Sequence, residues 1–419
     1  TEPLALEDIP EVSPDNRSGL TIPIGKTDGQ PGTALTVAVN ESTPHLCFIG
    51  GEGSGCTTAL QTFIASTALR HRPRECTLML IGAAGEQLAQ MPNVSAAATA
   101  LDTDRVERIL GEALRIIVIR QTGFKDREVS TLDDYLTSRT GEPVADDPYG
   151  RLIIVIDDVE RIARDYKEQL TQLTLAGGQY GVHLVTATHR PTGLPLKIAQ
   201  HLSFPIRLAG LAADEEPLTT SNRRKELREL AKSLPPGQRG RCIDTRSEQH
   251  ARIALPSLGH FDQQSTGDPA TRLRELVEAA DWAGETAPSL TTVPTSIAPE
   301  DFWRTVDANR SPMPAANGSR ERRAAMDVRI PLGVAVTTAS VVDVPDEQSP
   351  HLLAVGSAGS GRTVLLRALI SAITHGFSSD GADGSAVERG RGSSSAPASI
   401  AITPRRARTC CSTGRFEPN

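Results

Sequence analysis

"GGEGSGCTTAL", residues 50–60, follows the short apolar run His45–Ile49 and leads into a stretch with helical periodicity. A strand, a glycine turn and a helix in that order present successive backbone N–H groups to phosphate oxygens, and the helix start adds partial positive charge. Gly50, Gly55 and Thr57 match the phosphate-loop pattern G-x-x-x-x-G-K-[ST], but the lysine position holds Cys56. The expected cradle is Gly50, Gly51, Glu52, Gly53, Ser54, Gly55, Cys56, Thr57 and Thr58, with ATP as ligand and the Thr57 hydroxyl on Mg²⁺. A plain glycine turn is the bland alternative. A lysine would neutralise the β- and γ-phosphates as charge develops during transfer. Cys56 cannot, so binding with weak hydrolysis is the expectation.

The chain repeats this passage. "IPIG" (22–25) leads to "TPHLCFIGGEGSGCTTALQTFIAS" (43–66), and "IPLG" (330–333) leads to "SPHLLAVGSAGSGRTVLLRALISA" (349–372). Pro-His, strand, glycine loop and helix recur together, which marks two copies of one module. The second cradle is Gly356, Ser357, Ala358, Gly359, Ser360, Gly361, Arg362 and Thr363. Arg362 keeps a charge at the lysine position, but its planar fork is longer and more diffuse than an ammonium.

Strands and helices alternate through the first copy. Strands are expected at His45–Ile49, Thr77–Ile81, "RLIIVIDD" (151–158), "GVHLVTATHRP" (181–191) and "FPIRLAG" (204–210). Thr58–Leu69 and the amphipathic Asp104–Arg120 read as helices, and a short helix at 271–280 closes the module. The alternation predicts an α/β fold of the P-loop NTPase kind, a parallel sheet with helices on both faces, plus an incomplete second copy. The expected divisions are an N-terminal linker (1–17), a module (18–283), a proline-rich connector (284–327), a partial second module (328–377) and a tail (378–419). "EDFW" (300–303) is expected to anchor the connector to a domain surface.

Composition narrows the function classes. Net charge is −7, which gives no general reason to bind DNA or an anionic membrane. The basic stretch "NRRKELRELAK" (222–232) reads as a solvated helix face. Apolar runs of about five residues fall far short of the ~20 that span a bilayer. The chain starts at Thr1 without a signal peptide, which suggests a fragment, and a cytoplasmic setting is expected. Six cysteines in 419 residues make no disulfide framework; Cys47, Cys76 and Cys242 read as buried thiols.

Two strand ends carry the remaining candidate chemistry. Asp157 is placed to hold Mg²⁺ through water, and Asp158 lies where a glutamate would orient an attacking water, one methylene shorter. A helix N-cap pair is the other reading, and the two can coexist. Thr188 and His189 are expected beside that acidic end, near a γ-phosphate, with Arg190 facing a neighbouring subunit; a polar exit from the sheet is the alternative. His45 and His351 read as fixing strand entries.

"PHLCFIGGEGSGCTTAL", "LIIVIDDVERI" and "GVHLVTATHRP" together resemble the FtsK/SpoIIIE branch of P-loop ATPases. Within it, the tandem "IPxG" openings, "PPGQRGRCID" (235–244) and the linker from "DWAGETAP" to "IPLG" resemble the EccC coupling ATPases of type VII secretion. The resemblance implies membrane-anchored chains of three modules that form rings and recognise C-terminal signals on WXG100-type proteins. It implies here a second module and the start of a third, at the inner face of the membrane with its secretion machinery. Degenerate loop lysines in the later modules fit Cys56 and Arg362. The alternatives are a DNA translocase, disfavoured by the acidic balance, and a non-catalytic nucleotide-gated scaffold.

The character of the chain changes at Ser378, where Ser, Gly, Ala, Pro and Arg take over. Read from Gly356, the loop-to-carboxylate spacing of the first copy would run past Asn419. The tail is therefore expected to be disordered or read out of frame.

Overall fold

The computed structural model of the chain describes residues 4–12, 19–29, 33–139, 146–211, 215, 226, 229–230, 232–234, 239–258, 269–290, 296–297, 299–309, 330–334, 341–344, 362–378 and 400–401. Two compact units result, Thr1–Leu290 and Thr291–Asn419.

The first unit is built on a mixed ten-stranded sheet. Its strands are β1 (Gly19–Thr27), β2 (Ala34–Asn40), β3 (His45–Ile49), β4 (Cys76–Ile81), β5 (Val94–Ala98), β6 (Arg151–Ile156), β7 (Val182–Thr188), β8 (Ile206–Leu208), β9 (Arg241–Asp244) and β10 (Gln249–Ile253). They lie in the order β2-β1-β10-β9-β8-β3-β7-β6-β4-β5. The run from β8 to β5 is parallel, and β2 to β9 extend it antiparallel. Parallel strands buried on both faces need continuous apolar runs, and β3, β4 and β6 are buried at every position.

Alternate side chains feed two cores, one on each face. Leu46, Phe48, Leu78, Leu80, Ile153 and Val155 pack on one side with Leu60, Phe63 and Ile64 of α1 (Cys56–Arg70). That face also takes α2 (Ala83–Leu88) and α7 (Pro269–Ala279). Cys47, Ile49, Met79, Ile81, Ile154 and Ile156 pack on the other side with α3 (Thr103–Asp126), α5 (Lys167–Ala176) and α6 (Leu196–Ala199). A further short helix, α4 (Leu132–Ser138), joins Phe124 of α3 through Leu132 and Tyr135. The helix of the glycine loop is pinned along its length. Thr62 donates to the Ala254 carbonyl at 2.6 Å, Ser66 to that of Pro23 at 2.7 Å, and the Trp282 indole to that of Ala68 at 2.9 Å.

The helix expected at Asp104–Arg120 runs on to Asp126, and Arg120 and Phe124 are the buried residues of its last turns. Arg120 is fully buried. Its guanidinium donates to both carboxylate oxygens of Asp147 (2.8 and 3.1 Å) and to the carbonyls of Tyr180, Tyr149 and Gly150. Arg139 also pairs with Asp147, at 3.3 Å.

The second unit is described in pieces: β11 (Ser296–Ile297), α8 (Pro299–Asn309), β12 (Ile330–Val334), β13 (Val341–Val344), α9 (Arg362–Ser378) and β14 (Ile400–Ala401). "EDFW" lies on α8, where Phe302 is buried. The hairpin β12–β13 breaks register between Pro331 and Gly333, as β1–β2 does between Pro23 and Gly25, so the "IPxG" repeat is a repeated bulge. In α9, Leu366 and Ile370 are exposed, whereas Leu60 and Ile64, at the same repeat positions of α1, are fully buried. The loop Gly356–Gly361, His351, most of 222–232 and most of the tail from 379 lie outside the described residues.

Two consequences are measurable. Arg120→Met leaves Asp147 with Arg139 as its ion-pair partner and should cost about 3–5 kcal/mol in urea unfolding, as breaking a buried pair does. His45 and His183 are buried, and burial pulls their pKa values from 6.5 down to about 4 and about 3. Both are neutral in the native protein, while the unfolded chain takes up protons below its ordinary value. Stability is thus whole above about pH 6.5 and is lost as pH falls toward the folded values, by about 2 kcal/mol per histidine at pH 5. The urea midpoint should drop between pH 7.5 and 5, and His183→Gln should flatten that slope; an unchanged slope would rule the histidine out.

Candidate functional site: a glycine loop at the edge of three parallel strands

β7 is inserted between β3 and β6, with Ile49 paired to Thr188 and Ile156 to Thr186. This register brings the ends of three strands together. The loop after Ile49, the carboxylates after Ile156 and the Thr188-His189-Arg190 exit therefore meet at one edge.

The loop is held by backbone from both sides. Gly51 donates to the Ala209 carbonyl at 3.0 Å, Ser54 N–H to the Gly51 carbonyl at 3.1 Å, and Gly240 N–H to the Ser54 carbonyl at 2.9 Å. Gly51 is a glycine because of that approach: a Cβ there would lie 2.1 Å from the Gly210 carbonyl oxygen. Glu52 and Gly53 are exposed, Ser54 and Cys56 are buried, and Thr57 and Thr58 are half-buried at the start of α1. Cys56 is 1% exposed, with its sulfur 3.6 Å from the Ser54 hydroxyl.

Asp157 sits against this helix start. Its Oδ2 accepts from Ala84 N–H at 3.1 Å, and its buried Oδ1 lacks a hydrogen-bond partner. Burial raises its pKa, opposed by a hydrogen bond from Thr57 and reinforced by the neighbouring Asp158. A threonine hydroxyl beside a carboxylate with an unused buried oxygen is a hard-oxygen donor set of the kind Mg²⁺ takes.

Asp158 adopts a left-handed backbone (φ 51°, ψ 57°) and makes no side-chain cap to the turn Val159–Arg161 that follows. Its carboxylate instead pairs with Arg161 at 3.1 Å and lies 3.4 Å from His189 Nε2. The Thr188 hydroxyl is buried and accepts from Arg190 N–H at 3.0 Å. The His189 Nδ1 lies 2.8 Å from the Gly50 carbonyl oxygen, and its backbone N–H donates to Glu160 at 3.2 Å. Its pKa is pushed up to about 10, first by a hydrogen bond to Cys56, then by the Gly50 carbonyl and the charge on Asp158, against partial burial. Arg190 is exposed.

Of the sequence candidates, the first loop, Asp157, Asp158, Thr188 and His189 converge, and Arg190 lies on the outer side of that edge. Arg362 and Thr363 begin α9 of the second unit. Sequence reasoning missed Ala84, Glu160, Ala209 and the glycines that back the loop. Ala84, Ala209 and the glycines act through backbone groups and Glu160 through its carboxylate, contacts that leave no pattern of their own in the sequence. Gly240 does lie within "PPGQRGRCID", whose first four residues are outside the described ones.

A glycine loop between β3 and α1, with a strand interposed before the acidic strand end, defines a P-loop NTPase fold. The FtsK/SpoIIIE family matches residues 10–255, and the chain belongs to that family. The chain is similar to the ESX secretion system protein EccC of Thermomonospora curvata, 28% identical over 78% of this chain and 23% of that protein. It is also similar to the ESX-1 secretion system protein EccCb1 of Mycobacterium tuberculosis, 25% identical over 89% of this chain and 61% of that protein. The solved structure of T. curvata EccC (ATPases 2 and 3) in complex with a signal sequence peptide superposes with a TM-score of 0.67. It is 25% identical and covers 89% of this chain and 66% of that one. The chain thus spans less than two thirds of the length of these relatives.

The loop's fit to its neighbours is testable by stability. Gly51→Ala forces the loop off the Gly210 backbone and should cost at least about 3 kcal/mol, in the range of severe core overpacking. Gly53→Ala, where nothing lies within 4 Å but φ is +71°, should cost about 1–2 kcal/mol of left-handed strain. Urea unfolding of the two variants measures the difference; equal losses would show that the close approach does not matter.

Proposed function

We propose that the first unit is a nucleotide-binding module of an EccC-like type VII secretion ATPase that binds ATP–Mg²⁺ and hydrolyses it weakly. The observation that carries this reading is the pairing of a held glycine loop and the Thr57–Asp157 oxygen set with a buried thiol at the lysine position. The loop N–H groups and the α1 start would hold the phosphates, and Thr57 and Asp157 the metal. A bound Mg²⁺ supplies charge neutralisation to the phosphates. Cys56 adds none, and its sulfur stays beneath the loop. Asp158, paired with Arg161 and facing His189, is poorly placed to orient a water.

In this reading residues 18–283 form the module, 284–327 the connector and 328–377 the start of a second copy. Partners follow from the likeness to the EccC relatives: small secreted proteins of the WXG100 type, further copies of the chain in a ring, with exposed Arg190 toward a neighbour, and the membrane secretion machinery. Among the described residues no helix is long and apolar enough to cross a membrane, so attachment would come through partners or other segments.

Calorimetric titration of the chain with ATP and Mg²⁺ should show binding, with turnover well below an ordinary ATPase rate of about 1 s⁻¹. Cys56→Lys should raise turnover. Turnover at the ordinary rate by the unsubstituted chain would sink the proposal, and no gain in Cys56→Lys would point to Asp158 or a missing neighbour as the defect. Salt-resistant, sub-micromolar binding of duplex DNA would favour the translocase reading instead.

A further inference from the structure

A phosphate-binding loop must turn its N–H groups toward the ligand and its carbonyl oxygens away, because an oxygen facing phosphate repels it. A lysine ammonium carries three donors and can bond a loop carbonyl while also reaching phosphate. Cys56 ends at a buried sulfur that meets the Ser54 hydroxyl and is at best a weak donor. Gly50, the last residue before the loop turns, nevertheless has a strong donor on its carbonyl. It comes from another strand: His189 Nδ1 at 2.8 Å. Since a carbonyl accepts and never donates, Nδ1 carries the hydrogen.

The topology makes this donor available. β7 lies beside β3 in parallel register, with Ile49 opposite Thr188, so the next residues, Gly50 and His189, come side by side. His189 is held on further sides as well. Its backbone N–H is fixed by Glu160, and Nε2 faces Asp158 at 3.4 Å. With Nδ1 on the Gly50 carbonyl and Nε2 facing Asp158, a turn of the ring toward a γ-phosphate would break the bond to Gly50.

We propose that His189 stands in for the missing loop lysine as a positioning residue: its ring holds the Gly50 carbonyl beneath the loop and so keeps the phosphate-facing N–H groups presented. The raised pKa of the ring is consistent with this surplus of acceptors around it. The inference rests on the nucleotide-binding reading above and adds the group that makes such binding possible without lysine.

The test is titration of the full chain with ATPγS and Mg²⁺, with a thermal melt of every variant. His189→Ala should weaken binding about tenfold, as loss of a donor to a buried carbonyl does. His189→Asn, whose amide can place a donor near the Nδ1 position, should stay within about threefold of the parent. In a Cys56→Lys background the ammonium supplies the donor, so His189→Ala should cost less than about threefold. Parent-like binding by His189→Ala, or the same tenfold loss in both backgrounds, or His189→Asn binding as weakly as His189→Ala, would overturn the proposal. Should His189→Ala lack a cooperative melt, His189→Gln replaces it: its donor lies at the Nε2 position, and it must bind about tenfold more weakly than His189→Asn. Absence of ATPγS binding by the unsubstituted chain defeats the nucleotide reading itself, whereas binding that ignores these substitutions defeats this inference alone.

Discussion

Everything at the site depends on the insertion of β7 between the loop strand and the acidic strand. Two parallel strands in direct contact would bring the glycine loop and Asp157 about 4.8 Å apart along the sheet, too close for the groups that must lie between. With β7 between them, the gap is two strand spacings, and the residues leaving β7 fill its floor. The register decides which residues these are: Thr188 still belongs to the buried sheet, and His189 is the first to emerge. A shift of one residue would exchange a buried, apolar-packed position for the one that faces Gly50, Cys56 and Asp158.

The antiparallel strands on the other side give the loop its second support. Gly210 follows β8 and Gly240 precedes β9, and both lie against the loop backbone. The loop is therefore clamped between backbone rather than between side chains. Backbone contacts are insensitive to sequence, which explains how a cradle can persist when the charged residue within it has been replaced.

Much of this was legible because it is local. The apolar runs of β3, β6 and β7, the glycine loop and the periodicity of α1 each lie within a dozen residues. The repeat of "IPxG" was legible too, and its structural content is a bulged hairpin in both units. The antiparallel extension was not. β1 pairs with β10 across more than two hundred residues of chain, and β9 and β10 are too short to show a period. Arg120, at the end of the amphipathic stretch, buries its charge with Asp147; sequence carries the pattern of exposure only where solvent decides it. At the site, the identities of Asp157 and His189 were legible, but the ties that occupy Asp158 and His189 were not. These are made by Arg161, Glu160 and a loop carbonyl, none of which a motif specifies.

The segment that leaves the first unit runs along the outer strand of the sheet. Ala287 N–H bonds the Pro92 carbonyl, Leu290 N–H that of Ser95, and the Ser95 hydroxyl that of Pro288, while Ala287 and Leu290 bury their side chains. An open strand edge is a template on which another chain can polymerise. Here the protein's own exit path fills those positions beside β5. Strand-by-strand addition of further copies is thereby disfavoured at Pro92 and Ser95, and the path that leaves the unit doubles as a guard against fibrous growth.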